Sequence, residues 1–281
     1  MKILDGGELA EYIKERQAQQ VRALRQAWGI APKLAVVRTT DDPVISTYVR
    51  MKRRYGDDIL IDVEVHQVAQ VDAMATIQAL NQDDSVHGII VQLPLADPTQ
   101  TEELVNAVVP EKDVDALGAQ PAFDPATPMA ISWLLAGYNV DLKNKNIVII
   151  GNGRLVGAPL AKMWQQSGYN VTVVDIDTPD KEAIVKHAEI IVTATGDPSS
   201  LKSSMITIDA VVVDAGTASE NGKVVGDLAQ DVREGRDDLT LTPLKGGVGP
   251  LTICALFDNV IRSARIVADA QDAASSVAKP V

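Results

Sequence analysis

Short, almost wholly apolar runs recur along this chain, and a stretch with helical spacing follows most of them. KLAVVRT (33–39), ILIDVEVHQV (59–68) and HGIIVQLPL (87–95) come first. NIVII, NVTVVDID, EIIVTATG and DAVVVDAG follow at intervals of roughly twenty residues. A strand that is apolar on both faces must be covered on both, which happens in parallel sheets whose crossovers are helices. The intervening segments supply those helices: ELAEYIKERQAQQVRALRQAWG, closed by Gly29, then STYVRMKRRYG, VDAMATIQALNQD and TQTEELVNAVVP. The pattern predicts an α/β fold.

The segment ALGAQPAFDPATP (116–128) interrupts the alternation. It is rich in Pro, Ala and Gly, lacks periodicity and reads as a connection between domains. A chain of 281 residues accommodates two domains of ordinary size. The expected division is a first α/β domain from 1–120 and 252–281, and a second, Rossmann-like domain from 121–251. TPMAISWLLAGY resumes as a helix, with Thr127 as N-cap and Pro128 at the first helical position. LTLTPLKGGVGPLTICALFDNVIRSARIVADAQ reads as a strand, a glycine-rich loop and a long helix that packs back on the first domain. The last ten residues, DAASSVAKPV, are small and polar and read as frayed.

Composition narrows the function. A formal charge of −12 argues against a general nucleic-acid binder. No apolar run approaches a membrane span. MKILDGGELAEYIKER shows no apolar segment followed by a small-residue cleavage site, so no secretory signal is read. The single cysteine, Cys254, excludes an internal disulfide framework. His66, His87 and His187 are scattered without ligand partners, so no metal site is expected.

NIVIIGNGRLVGAPL has the layout strand, glycine turn, helix. Gly151, Gly153 and Gly157 allow a sharp turn and close approach of a phosphate group to backbone N–H groups at a helix N-terminus. Their spacing is one residue longer than the usual dinucleotide fingerprint, and a tight turn between packed elements is the plainer alternative. Asp175 ends the next strand, where an acid accepts from the ribose 2′-hydroxyl of NAD and repels the 2′-phosphate of NADP. Asn152 and Arg154 flank the turn, and an arginine can pair with phosphate. The balance favours NAD; a turn or cap role for Asp175 in DIDTPD is the competing reading.

Tyr48 and Lys52 stand four positions apart in STYVRMK (46–52) and share one face of a helix. Arg50, Arg53 and Arg54 surround them. Taken alone, the stretch is either a solvated helix face or a phenol and an amine aimed at chemistry.

The motifs taken in order are DDPVISTYVRMK (41–52), GIIVQLPL (88–95), PEKDVDALG (110–118), ATP (126–128), GNGRLVGAP (151–159), NGKVVGD (221–227) and TPLKGGVGPLT (242–252). Together they resemble the bifunctional methylenetetrahydrofolate dehydrogenase/methenyltetrahydrofolate cyclohydrolase family over most of the chain. The resemblance implies a cytoplasmic homodimer of two α/β domains with the active-site cleft between them. It implies oxidation of 5,10-methylenetetrahydrofolate with NAD or NADP, then hydrolysis of the methenyl product to 10-formyltetrahydrofolate. The implied catalytic residues are Lys52, Tyr48, Gln92 and Asp115. Leu93 and Pro94 of VQLPL, and Gly249, Pro250 and Leu251 of the GGVGPL segment, would complete the folate site. Gly246 and Gly247 open the same segment. The cofactor would meet Gly151, Asn152, Gly153, Arg154, Leu155, Val156 and Gly157, then Asp175, Thr195, Gly196, Gly216 and Thr217.

Several positions depart from the family. Ile45 stands where a serine is usual, and Asn152 and Gly153 replace an arginine and a serine that serve cofactor phosphates. Asp175 and Ile176 replace a histidine–serine pair, Leu244 and Lys245 a Val-Pro, and Ala116 a glycine. The catalytic set is retained while the 2′-phosphate set is not.

The chemistry suits these residues. The methenyl carbon is cation-like, and water attacking it must lose a proton. A lysine whose pKa is lowered by burial or a nearby positive charge exchanges protons near neutral pH. Gln92 can hold that amine, and Tyr48 offers a ring for the aminobenzoyl group and a hydroxyl for the same network. Asp115 can accept from the paired N–H and amino groups of the pterin. The arginines form the helix's wet side or a rim for the acidic folate tail. Asp113 beside Asp115 reads as a turn acid or cap, and Lys112 as a surface ion-pair partner. A monofunctional dehydrogenase, a non-catalytic nucleotide-binding protein and a shikimate-type dehydrogenase are the rival readings. The last gives no reason for VQLPL and DVD to occur together.

Overall fold

A computed structural model describes residues 1–220 and 223–277. Asn221 and Gly222 of the NGKVVGD motif and the final four residues lie outside the described part. The chain begins with β1 (Lys2–Ile3), α1 (Gly6–Trp28), β2 (Lys33–Arg38), α2 (Pro43–Ile59), β3 (Asp62–Gln67), α3 (Ala73–Gln82), β4 (Gly88–Val91), α4 (Thr101–Asn106) and α5 (Ala126–Gly137). It continues with β5 (Ile147–Ile150), α6 (Gly157–Gln166), β6 (Val171–Val174), α7 (Lys181–Val185), β7 (Ile190–Thr193), β8 (Val211–Asp214), β9 (Ala218–Glu220) and β10 (Lys223–Val225). It ends with α8 (Gln230–Gly235), β11 (Thr240–Leu241) and α9 (Val248–Val277). Among the described residues no helix is long and apolar enough to cross a membrane.

The chain forms two compact units, Met1–Ala10 with Thr127–Thr252 and Glu11–Ala126 with Ile253–Val281. The first ten residues thus group with the nucleotide-type unit, whereas the sequence placed them in the other domain. The reason is β1, which pairs in parallel with β11 through Lys2↔Thr240 and Ile3↔Leu241. Two residues carry no periodic signal, so a strand this short is invisible in sequence.

The unit of Glu11–Ala126 and Ile253–Val281 is built on a parallel sheet in the order β3-β2-β4. Ala35, Val37, Ile89 and Val91 pack with Ile77, Leu80, Leu104 and Val105 on one side. Gly56 lies inside α2, although the sequence suggested that the helix stops there. A Cβ at Gly56 would meet the Ile61 carbonyl oxygen at 2.6 Å, so the glycine is needed for close approach. The helix runs to Ile59 instead, and Leu60 just past it lies in the left-handed region at φ +66°. The Ile61 amide caps the Gly56 carbonyl at 2.8 Å.

The other unit carries a parallel sheet in the order β1-β11-β8-β7-β5-β6. Val148, Ile150, Val174, Ile191, Val212 and Leu241 form its apolar centre with the buried residues of the crossovers. Trp164 is fully buried, and its indole donates to Ser132 Oγ at 2.9 Å, satisfying the one polar atom it brings inside. β9 and β10 form a separate antiparallel pair that the sequence did not announce. α5 begins at Ala126, so Thr127 and Pro128 lie in its first turn rather than at its cap and first position. There the proline's missing N–H has no helical partner to lose. α9 begins at Val248, so Gly249, Pro250 and Leu251 are helical rather than loop residues. At its other end α9 runs to Val277, beyond the start of the tail expected to fray.

Candidate active site

Buried residues on α2 recur at helical spacing. Ile45, Val49 and Gly56 are buried and Lys52, on the same stripe, is half-buried. Arg50, Arg53 and Arg54 are exposed on the other side. The helix therefore has a wet face, but its lysine is not on it. Tyr48, one turn earlier, is 42% exposed, and its hydroxyl takes no part in the lysine's hydrogen bond.

Lys52 Nζ donates to Gln92 Oε1 at 2.9 Å. Gln92 follows the last residue of β4, and its backbone N–H continues the ladder to Val37 O at 2.8 Å. Its side chain is thus held off the carboxyl end of the sheet, where α/β proteins place ligands. Gln92 Nε2 donates to Leu93 O at 3.0 Å, which turns Oε1 toward the lysine. Leu93 and Pro94 follow directly and are joined by a cis peptide bond.

Asp115 is delivered to the same place by a tightly fixed segment. The Ile89 amide donates to Lys112 O at 2.7 Å, and Ile89 forms a parallel bridge with Asp113. The buried Asp113 carboxylate accepts from Leu117 N at 3.3 Å and Gly118 N at 2.8 Å. Asp113 is thus the turn acid of the motif. Asn259 Nδ2 on α9 donates to Val114 O at 2.9 Å. Lys112 makes no ion pair with its acidic neighbours in the motif. Its Nζ donates to Leu80 O, Asn81 O and Asp83 O at 3.1, 3.0 and 2.7 Å, satisfying carbonyls at the end of α3. Ala116, at the family's usual glycine position, has φ +55°.

Burial lowers the Lys52 pKa from its ordinary value, and the charge of Asp115 opposes that shift. Burial likewise raises the Asp115 carboxyl, with Lys52 opposing. The two groups therefore sense each other in a desolvated setting. Their arrangement gives a lysine that surrenders its proton more readily than a solvated one, held by a non-titrating amide and facing an acid.

In the other unit, Gly151 at φ +103° turns the chain out of β5, and its Cβ position is filled by Ala194 O at 2.5 Å. A Cβ on Gly157 would collide with Gly151 O, whereas one on Gly153 would meet only open space. The turn from Asn152 to Leu155 is exposed, and α6 has no side-chain cap at Val156. Two features suit a dinucleotide, a close-set turn and an open approach; at the start of α6 the Ala158 amide already donates to Gly153 O at 3.1 Å and Pro159 carries no N–H. Asp175 follows β6. Its Oδ1 accepts from Asp177 N at 3.1 Å and Thr178 Oγ1 at 2.8 Å, leaving Oδ2 without a protein donor among the described residues. Thr195 and Gly196 follow β7, and Gly216 and Thr217 follow β8, all at the carboxyl end of the parallel sheet. Gly249, Pro250 and Leu251 belong to this unit, whereas Lys52, Gln92 and Asp115 belong to the other.

The sequence did not single out Asp214 and Asp227. Asp214 ends β8, and Asp227 is a fully buried acid whose Oδ2 accepts from Thr195 N at 2.7 Å. Their sequence signal is slight: a DAG, and the GD that closes NGKVVGD, thirteen residues apart counted from acid to acid, with nothing to pair them.

Two family models match the chain. The tetrahydrofolate dehydrogenase/cyclohydrolase catalytic domain covers residues 4–115, and the NAD(P)-binding domain of the same family covers 125–268. The chain is similar to the bifunctional protein FolD of Campylobacter jejuni strain RM1221, at 37% identity over 94% of this chain and 99% of that protein. It is similar to the crystal structure of the Campylobacter jejuni bifunctional dehydrogenase/cyclohydrolase, with TM-score 0.89 and 36% identity over 94% and 99% of the two chains. The Trypanosoma brucei dehydrogenase–cyclohydrolase, solved with NADP cofactor and an inhibitor, matches with TM-score 0.88 and 29% identity over 95% and 98%.

Proposed function

Because the chain belongs to the tetrahydrofolate dehydrogenase/cyclohydrolase family, we propose that Lys52, Gln92 and Asp115 carry its chemistry and that NAD is its oxidant. The protein oxidises 5,10-methylenetetrahydrofolate to 5,10-methenyltetrahydrofolate with a nicotinamide cofactor and hydrolyses the product to 10-formyltetrahydrofolate. The observation that carries the residue assignment is the hydrogen bond from Lys52 Nζ to Gln92 Oε1 at 2.9 Å, on a lysine whose pKa burial lowers.

When bound, the nicotinamide accepts the hydride that leaves the methylene carbon. In the hydrolytic step, water forms a C–O bond to the methenyl carbon and its proton passes to the neutral Lys52 Nζ. The bond from that carbon to one ring nitrogen then breaks, the ammonium returns the proton to the departing nitrogen, and the hydroxyl loses its own proton to solvent as the formyl C=O forms. Gln92 keeps Nζ in line through both transfers. The Asp115 carboxylate accepts from the pterin's paired donors and orients the ring. Tyr48, exposed on the lysine's helix, supplies a surface for the aminobenzoyl ring. Of the residues that open α9, Gly249 is exposed and Pro250 partly so, whereas Leu251 is fully buried and offers a ligand no surface.

Asn152, Gly153, Arg154, Leu155 and Val156 would line the cofactor phosphates between Gly151 and Gly157. Thr195, Gly196, Gly216 and Thr217 would take the nicotinamide end. Asp175 supports NAD, because its Oδ2 can accept from a ribose hydroxyl whereas a 2′-phosphate would meet its charge. Initial rates with methylenetetrahydrofolate and each nicotinamide test this. NAD⁺ is expected to be preferred by about tenfold or more, the equivalent of about 1.4 kcal/mol, and Asp175→Ser to shrink the ratio. A preference for NADP⁺ overturns the argument. Methenyl hydrolysis measured alone checks the second activity, and Lys52→Met should abolish it. Association as a homodimer in the cytoplasm belongs to the same reading. β6 offers a free sheet edge for it, and a monomer in sedimentation would remove it.

A further inference from the structure

Asp214 and Asp227 are locked into each other's loops at the carboxyl end of the six-stranded sheet. Asp214 accepts from Gly216 N at 3.1 Å, Asp227 N at 3.0 Å and Leu228 N at 3.4 Å, and it pairs with Arg233 at 2.6 Å. Arg233 also donates to Thr242 O at 3.1 Å, so the guanidinium is fixed on both sides. Asp227 reaches the opposite way, accepting from Thr195 N at 2.7 Å. Its Oδ1 is buried without a hydrogen-bond partner among the described residues. A Cβ on Gly216 would collide with the Asp227 carboxyl, and a Cβ on Gly226 would collide with that of Asp214. Each loop's glycine is therefore the slot for the other loop's acid.

The contact line runs farther. Gly151 rests on Ala194 O, Thr195 follows Ala194, Asp227 holds Thr195, and Asp227 lies on Gly216. The turns after β5, β7 and β8 form one contact line, and the Asp227 carboxyl is the link between the last two. Leaving a carboxyl oxygen buried and unpartnered is unfavourable, and a scaffold that needed only bulk here would be better served by an apolar side chain. The acid carries a specific acceptor to a specific amide.

We propose that Asp227 is a positioning residue for the nicotinamide cofactor, acting through Thr195 and Gly216 to set the spacing of the loops after β7 and β8. The proposal rests on the reading above that those loops meet the nicotinamide end. Asp227 does not touch the cofactor in this role. It stops the Thr195–Gly196 and Gly216–Thr217 backbones from sliding apart. Burial, reinforced by the Asp214 charge, raises its pKa, while the Thr195 and Gly196 donors pull it down. A neutral side chain with the same carbonyl acceptor should therefore substitute for it.

The test uses the full-length enzyme and its two activities, because methenyl hydrolysis consumes no nucleotide. Asp227→Ala should raise KM for the nicotinamide cofactor about tenfold or more, with methenyl hydrolysis kept within about twofold, the pattern of a lost binding contact. Asp227→Asn, which keeps the acceptor for Thr195 N, should stay within about threefold of the parent in KM. Asp227→Ser carries the same expectation as the alanine variant should that one fail to fold. Parallel loss of both activities would make Asp227 a mere strut and overturn the proposal. So would an unchanged cofactor KM in both truncated variants, or an asparagine variant as impaired as alanine. A parent enzyme that reduces neither NAD⁺ nor NADP⁺ would remove the underlying reading itself, a failure visible before any variant is made.

Discussion

Gln92→Glu places a carboxylate where an amide oxygen now accepts from Lys52 at 2.9 Å, changing shape little and charge by one unit. Two unit charges about 4 Å apart attract by about 4 kcal/mol at an effective dielectric constant of about 20, which would raise the lysine by about 3 pKa units. Lys52 keeps part of its surface in solvent, and the new carboxylate would itself be desolvated. A shift of about 1–2 units is therefore the working figure. The sign is fixed: a carboxylate favours the ammonium form, so the lysine stays protonated to higher pH. Hydrolysis that needs the free amine should fall about 10–100-fold at neutral pH and recover as pH rises, its alkaline-going limb displaced upward by the same 1–2 units. The assay is the decay of methenyltetrahydrofolate absorbance across a pH series, with the uncatalysed rate subtracted. Gln92→Leu is the control; it loses orientation without adding charge, so its rate should drop without an upward displacement of the limb. A Gln92→Glu limb that coincides with the parent's would show that the Lys52 amine does not set the hydrolytic rate.

Two further outcomes concern stability. Leu60→Gly should stabilise the fold by roughly 0.5–1 kcal/mol. It relieves left-handed strain of about 1–2 kcal/mol at φ +66°, against an entropic disadvantage of about 0.5–1 kcal/mol. A lowered urea midpoint would refute it, and neither activity should change. Arg233→Met should destabilise by about 3 kcal/mol, the low end for a broken buried pair, because the Asp214 carboxyl, 4% exposed, loses its cation but keeps its amide donors. A melting temperature within a degree or two of the parent's would show that the pair contributes little.

The strands that were easiest to find in the sequence are those buried on both faces, such as β4, β5 and β7, where four consecutive buried residues leave no other reading. Gly29 marked the end of α1 correctly, since it sits at φ +68° just past Trp28. Gly56 misled for a physical reason. A glycine demanded by close packing and a glycine demanded by a left-handed turn look alike in sequence, and only the distance to Ile61 O tells them apart. Pro128 and Pro250 misled in a related way, because a helix's first turn tolerates proline at more than one position.

The lysine was legible by motif but not by pattern. Its neighbours Arg50, Arg53 and Arg54 suggest a wet helix, and only the buried stripe of Ile45, Val49 and Gly56 shows which way Lys52 faces. Lys112 shows the reverse case. Beside acids in sequence it suggests an ion pair, yet its amine is spent on three carbonyls at the end of α3. The Asp214–Asp227 lock was out of reach altogether. It depends on two glycines whose absent side chains matter only once the loops are adjacent.

Neither compact unit is a continuous piece of polypeptide. The nucleotide-type unit takes residues 1–10, with its outermost strand at 2–3, and then residues 127–252, while its counterpart takes residues 253–277 of α9. Both α1 and α9 change allegiance partway along their length. A single scission anywhere in the chain thus cannot release either half intact. A fragment spanning only 127–252 would present β11 as a bare border, its backbone donors and acceptors open to any passing strand.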